Sequence, residues 1–240
     1  MIKLLVFDLD STLAPIGEEM EWENVRLLRE LEKKGARIAV CSGKSCDYLC
    51  GFLRQLGLSN PIMIGENGAS LRFGVDLPPK ICHRIPLAEG AMESLQRVRR
   101  ILEEKFGDRL WFQPSEVEVT PFPKDTSRIE EVLDEIQAYL EPYRTQLTGI
   151  NMYRHVDCFD IVPEGVDKGV GISFLMKLLG LDPTEVAAIG DTVNDYPMFE
   201  VAGLSVGVSV KEESRVDINC SNTREMLLYL TKLLEQNHEK

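Results

Sequence analysis

The chain alternates short, wholly apolar runs with stretches in which apolar residues recur every three or four positions. The run "LLVF" (4–7) predicts a buried strand, and "EWENVRLLRELEKKG" (21–35) predicts a helix closed by Gly35. "ARIAVC" (36–41) follows as a second strand, "CDYLCGFLRQLG" (46–57) as a helix closed by Gly57, and "PIMI" (61–64) as a third strand. Helices ended by Gly and followed by short β-branched runs are the βαβ pattern. They predict an α/β fold whose mostly parallel sheet carries helices on both faces.

The pattern changes after the break "DLPPK" (76–80). "ICHRIP" (81–86), a helix from about 88 to 106, "LWFQ" (110–113), "EVEVTPFP" (116–123), a helix from about 125 to 143, "TGINMYR" (148–154) and "DCFDIV" (157–162) follow one another. Strands meeting at short turns such as "QPSE" (113–116) predict an antiparallel sheet with two helices. The alternation resumes after "VPEGVDKG" (162–169), with a helix through "VGISFLMKLLG", strand "VAAIG" (186–190), helix "YPMFEVAG", strand "LSVGV" and a C-terminal helix around 223–237. Both ends of the chain therefore build the parallel core (1–78 and 163–240), and 79–162 is an inserted α+β domain of ordinary domain size.

Composition narrows the function. A chain of 240 residues with a formal net charge of −12 and no basic run longer than "RVRR" (97–100) is a poor fit to nucleic acid. No apolar run approaches the roughly 20 residues of a membrane span, and Asp8 interrupts the first apolar run too early for a secretory signal. A cytoplasmic enzyme is expected. The six cysteines (41, 46, 50, 82, 158, 220) lack neighbouring His ligands and read as reduced thiols.

Ligands of open parallel sheets bind beyond the carboxyl ends of the strands. Those ends carry Asp8 and Asp10 in "DLDST", Ser42 in "CSGKS" and Asp191 in "GDTVND". Carboxylates without Cys or His select a hard cation, and Mg²⁺ takes one or two carboxylates plus phosphate oxygens. Lys168, at the start of one helix, and Ser42 with Gly43 and Lys44, at the start of another, are phosphate-binding arrangements. Together they point to phosphoryl transfer.

"DLDST" (8–12), "CSGKS" around Ser42, "DKG" around Lys168 and "GDTVNDYPMF" (190–199) resemble, in this order, the four motifs of the haloacid dehalogenase superfamily of phosphatases. The position of the insert and "GENGA" (65–69) resemble the branch with an α/β cap, which includes Cof-like and sucrose phosphatases and phosphomannomutases. The resemblance implies a Rossmann-like core with an inserted cap, and hydrolysis of a small phosphomonoester such as a sugar phosphate or phosphoglycolate. Asp8 would be the nucleophile and Asp10 the general acid and base. Asp8, the carbonyl of Asp10, Asp191 and, directly or through water, Asp195 would hold Mg²⁺. Ser42, Gly43, Lys44, Asn67, Lys168 and Asn194 would line the phosphate site. Lys44 stands where relatives often have Arg, and Ser11 where Gly is commoner.

Beside these roles stand plainer ones: a turn cap for Asp10, and an N-cap cluster for Asn194 and Asp195. Cap loops would meet the leaving group, with Lys124, Arg154 and His155 as cationic candidates, although such residues are more often simply solvated. A phosphosugar mutase and a non-catalytic binding protein are alternative functions. A monomer or homodimer is expected.

Overall fold

The run Leu4–Phe7 forms a fully buried strand, β1, in the computed structural model, which describes residues 1–238. It is followed by α1 (Trp22–Lys33), β2 (Arg37–Cys41), α2 (Cys46–Leu56), β3 (Ile62–Gly65), β4 (Ser70–Phe73) and β5 (Ile81–Arg84). A second block holds α3 (Ala91–Phe106), β6 (Leu110–Phe112), β7 (Pro121–Pro123), α4 (Ile129–Leu140), β8 (Ile150–Arg154) and β9 (Phe159–Pro163). The chain returns with α5 (Lys168–Leu179), β10 (Val186–Gly190), α6 (Tyr196–Val201), β11 (Leu204–Val208), β12 (Ile218–Cys220) and α7 (Thr223–His238).

The main sheet has eight strands in the order β12-β11-β10-β1-β2-β3-β4-β5, parallel from β12 to β3 and antiparallel at β4 and β5. Alternation along each strand divides its side chains between two faces. Leu5, Phe7, Ile38 and Val40 join one apolar cluster with Leu28 and Leu31 of α1, Leu49 and Leu53 of α2, and Met226 and Leu230 of α7. On the other side α5 packs on β3, β4 and α6, burying Ile172, Leu175 and Met198. Each such side chain contributes about 1.5–3 kcal/mol. The sheet edge that carries the polar residues is therefore held by a rigid core.

β4 and β5 depart from the sequence reading. "ENG" (66–68) turns the chain back on itself, with positive φ at Glu66, Asn67 and Gly68, so β4 pairs antiparallel with β3. β5 comes from "ICHRIP", assigned above to the insert, but it pairs with β4 as the sheet's edge. Its mixed polarity follows from that edge position, where most of its residues are exposed. The two compact units are accordingly Met1–Ile85 with the chain from Asp167 onward, and Pro86–Val166. Among the described residues no helix is long and apolar enough to cross a membrane.

The Pro86–Val166 unit contains two two-stranded antiparallel ladders, β6–β7 and β8–β9, rather than one regular sheet. "EVEVTPFP" does not form a full strand, because its pairing is split between two partners and residues 116–118 and 120 lie outside any strand. Only residues 121–123 pair with β6, while Val119 and Ile161 exchange two backbone hydrogen bonds of 3.0 and 3.1 Å. Arg154 is ion-paired with Asp134, and His155 Nε2 lies 3.1 Å from Asp160 Oδ2, so each has an acidic partner inside this unit.

Candidate active site

Four adjacent parallel strands, β10, β1, β2 and β3, end in register and deliver polar residues to one edge of the core unit. Asp191 follows β10, Asp8 follows β1, Ser42 follows β2, and Glu66 and Asn67 follow β3. The backbone ties these ends together: Asp8 N donates to Ile189 O at 2.8 Å, Ser42 N to Ile64 O at 3.0 Å, and Asn67 N to Ser42 O at 3.0 Å.

Lys168 enters from α5. Asp167 caps that helix by accepting from Val170 N at 2.8 Å, which leaves Lys168 in the first turn and 3% exposed. The helix can come this close because Gly169 lies against Pro197 O and Gly171 against Gly68; a Cβ at Gly169 would stand 2.3 Å from Pro197 O. Lys168 Nζ then donates to Asp8 Oδ1 and to Asp195 Oδ1, both at 2.6 Å. Burial disfavours its charge, but Asp8 and Asp195 outweigh that and lift its pKa above the usual lysine range.

Asp195 is fully buried and holds the loop as well as the lysine. Its Oδ2 accepts from Asp191 N at 2.9 Å and Thr192 N at 3.0 Å, closing the short turn Val193–Asp195. Gly190 leaves the necessary room, since a Cβ there would lie 2.5 Å from the Asp195 carboxyl carbon. Thr12 Oγ1 donates to Asp191 Oδ1 at 2.8 Å and so orients that carboxylate. The sequence reading did not single out Thr12, although it lies inside "DLDST"; a hydroxyl two residues beyond Asp10 is the signal that was available.

Ligand atoms of Asp8, Asp191 and Asp195 all lie within 4.8 Å of one another. Three carboxylates face the single ammonium of Lys168, an excess of two negative charges when all are ionised. Burial pushes the Asp8 carboxyl up to about 7, opposed by Lys168 and reinforced by Asp195 and Asp191. Burial likewise raises Asp191, with the Thr12 hydrogen bond working the other way. An all-oxygen donor set with this surplus suits a hard divalent cation.

Ser42 is buried and its Oγ accepts from Lys44 N at 3.3 Å. Gly43 lies under Asn67, whose Oδ1 accepts from Asn194 Nδ2 at 3.3 Å. Lys44 reaches Asp10 and forms an ion pair with it. Asp8, Asp10, Ser42, Gly43, Lys44, Asn67, Lys168, Asp191, Asn194 and Asp195 thus belong to one constellation in the core unit. Lys124, Arg154 and His155 lie in the other unit.

The family model described as sucrose-6F-phosphate phosphohydrolase matches residues 1–233. The chain belongs to this family. It is a phosphatase family of the haloacid dehalogenase type, in agreement with the order of the four motifs. A phosphoglycolate phosphatase of Methanopyrus kandleri is 29% identical over 245 residues, covering 98% of this chain and 99% of its own. A phosphoglycolate phosphatase of Metallosphaera sedula is 29% identical over 211 residues, covering 87% and 86%. The fold matches that of a haloacid dehalogenase-like hydrolase from Bacteroides thetaiotaomicron with a TM-score of 0.74 at 19% identity, covering 98% and 99% of the two chains.

Lys168 is the shared partner of Asp8 and Asp195. Lys168→Met is expected to cost about 3–5 kcal/mol of stability in chelated protein, because two buried carboxylates lose their shared partner. Chemical denaturation of both chains checks this, and a loss below about 1 kcal/mol would show the pair to be solvated.

Proposed function

We propose that this chain is a Mg²⁺-dependent phosphomonoesterase that hydrolyses a small phosphorylated metabolite through an aspartyl phosphate on Asp8. Phosphoglycolate, named for two relatives, and a sugar phosphate, named for the family, are the substrate classes in view. The observation that carries the reading is the convergence of Asp8, Asp191 and Asp195 around Lys168 at the ends of parallel strands.

Asp8, Asp191 and the carbonyl of Asp10 would hold the ion, and Asp195 serves mainly to fix Lys168 and the turn that presents Asp191. When bound, Mg²⁺ supplies positive charge that keeps Asp8 ionised and offsets charge on the transferring phosphoryl group. Lys168, the Ser42 hydroxyl and neighbouring amides hold the phosphoryl oxygens. An Asp8 oxygen forms the new bond to phosphorus while the ester P–O bond breaks, and Asp10 gives its proton to the departing alkoxide. Asp10 then takes a proton from water as that water attacks phosphorus, which frees Asp8 and releases phosphate.

Phosphate release across a panel of monoesters tests the reading. Activity is expected to vanish on chelation and return with Mg²⁺. Full activity in metal-free protein would refute the metal requirement. Release of free phosphate without a bisphosphate activator distinguishes hydrolysis from phosphosugar transfer.

A further inference from the structure

Lys44 is the second ammonium of the site, and it is held quite differently from Lys168. Its backbone is pinned on both sides: N donates to Ser42 Oγ at 3.3 Å, and O accepts from Glu66 N at 3.0 Å. It immediately precedes Ser45, the N-cap of α2, so its charge adds to the positive end of an 11-residue helix. The side chain extends to Asp10 and lies over the Tyr48 ring, with Nζ 5.5 Å from the ring centroid. Unlike Lys168, it is accessible, with 26% of its side chain exposed.

We infer that Lys44 is a specificity-determining residue that binds a carboxylate on the leaving group of the substrate. The inference rests on the phosphatase reading above. If Asp10 protonates the ester oxygen, that oxygen lies against the Asp10 carboxyl, and whatever it carries lies beside Nζ of Lys44. A carboxylate separated from the ester oxygen by one methylene, as in phosphoglycolate, can meet Lys44 while its ester oxygen meets Asp10. A neutral hydroxyl in the same place can accept from Nζ but carries no opposite charge, so it forms no ion pair. Lysine acts here as a point charge, which demands an anion nearby but not the planar two-point match that arginine rewards. The chain is strongly acidic overall, so such a local cation is also what brings a doubly anionic substrate to this edge.

The test compares phosphoglycolate with 2-hydroxyethyl phosphate, which replaces the carboxylate by a neutral hydroxymethyl group. Lys44→Gln is expected to lower the ratio of kcat/KM for the two substrates at least about tenfold, the value of one charge-assisted bond. Lys44→Arg should retain most of the discrimination. Taking the ratio removes any general effect of freeing Asp10. A binding measurement without turnover accompanies it: in the Asp8→Asn background, calorimetry should show phosphoglycolate losing affinity by a similar factor on Lys44→Gln. A ratio and an affinity both unchanged within twofold would overturn the inference while leaving the phosphatase reading intact. A parent chain that releases phosphate from neither substrate, nor from the wider panel, would overturn both.

Discussion

Asp8→Asn is expected to give a folded chain that releases no phosphate from any monoester, a loss of at least about 10⁴-fold in turnover. The side chain keeps its volume and keeps an oxygen to accept from Lys168 Nζ, a bond of 2.6 Å in the parent. A carboxamide, however, cannot open the ester as an ionised carboxylate does. The fold should tolerate the change, because one charge leaves a cluster with three acids around one ammonium. The pH dependence of chelated protein provides an independent sign. Burial raises Asp8 from 3.8 to about 7, so the folded chain holds that proton more tightly than the unfolded one. Its stabilising effect is complete below pH 3.8 and is lost as the pH rises through about 7. Thermal unfolding of the parent in chelator should therefore show this contribution falling between those values, and Asp8→Asn should lack it. Turnover within tenfold of the parent would remove Asp8 from the nucleophile's role.

Asp10→Asn should leave attack possible but remove proton transfer, at a cost of about 10²–10⁴-fold. Asp10 is better exposed than Asp8, with 36% of its side chain accessible, and its partner is Lys44 rather than the buried Lys168. It follows β1 after Leu9 and forms an isolated bridge with Ala14. Asp10 is not among the three acids whose ligand atoms lie together, and its partly exposed carboxyl would meet an ester oxygen beside Lys44. The loss should be largest for alkoxide leaving groups and small for p-nitrophenolate, which scarcely needs a proton. Single-turnover phosphorylation with both substrate types measures the difference. Equal losses would assign Asp10 to the metal site or to the turn instead.

The sequence alone settled the parallel core. Runs such as "LLVF" and "VAAIG" are apolar throughout, and "ARIAVC" is so apart from the exposed Arg37, because these strands are buried on both faces, and a glycine closes the helices before β2 and β3. The acids at the ends of β1 and β10 were also readable, since the end of an apolar run is a local property. The antiparallel margin was less so. "NG" between "IMIG" and "SLRF" is a hairpin signal, but β4 is short and contains Arg72, which is buried and ion-paired to Asp47. "ICHR" shows the mixed polarity of an edge strand, and "EVEVTPFP" was overread because only its last three residues pair with β6 while Val119 bridges to Ile161.

Within the site, residue types were legible but partnerships were not. Asp195 and Lys168 are 27 residues apart, Thr12 and Asp191 are 179 apart, and Lys44 and Asp10 are 34 apart. No local periodicity encodes these meetings. They depend on strand order, which places β10, β1, β2 and β3 side by side, and on the close approaches that Gly68, Gly169 and Gly190 permit. The sequence therefore specified which chemical groups stand at the strand ends. Only the tertiary structure decided that Lys168 is shared by Asp8 and Asp195 while Lys44 lies on Asp10, because long-range packing chooses between partners that local sequence leaves equivalent.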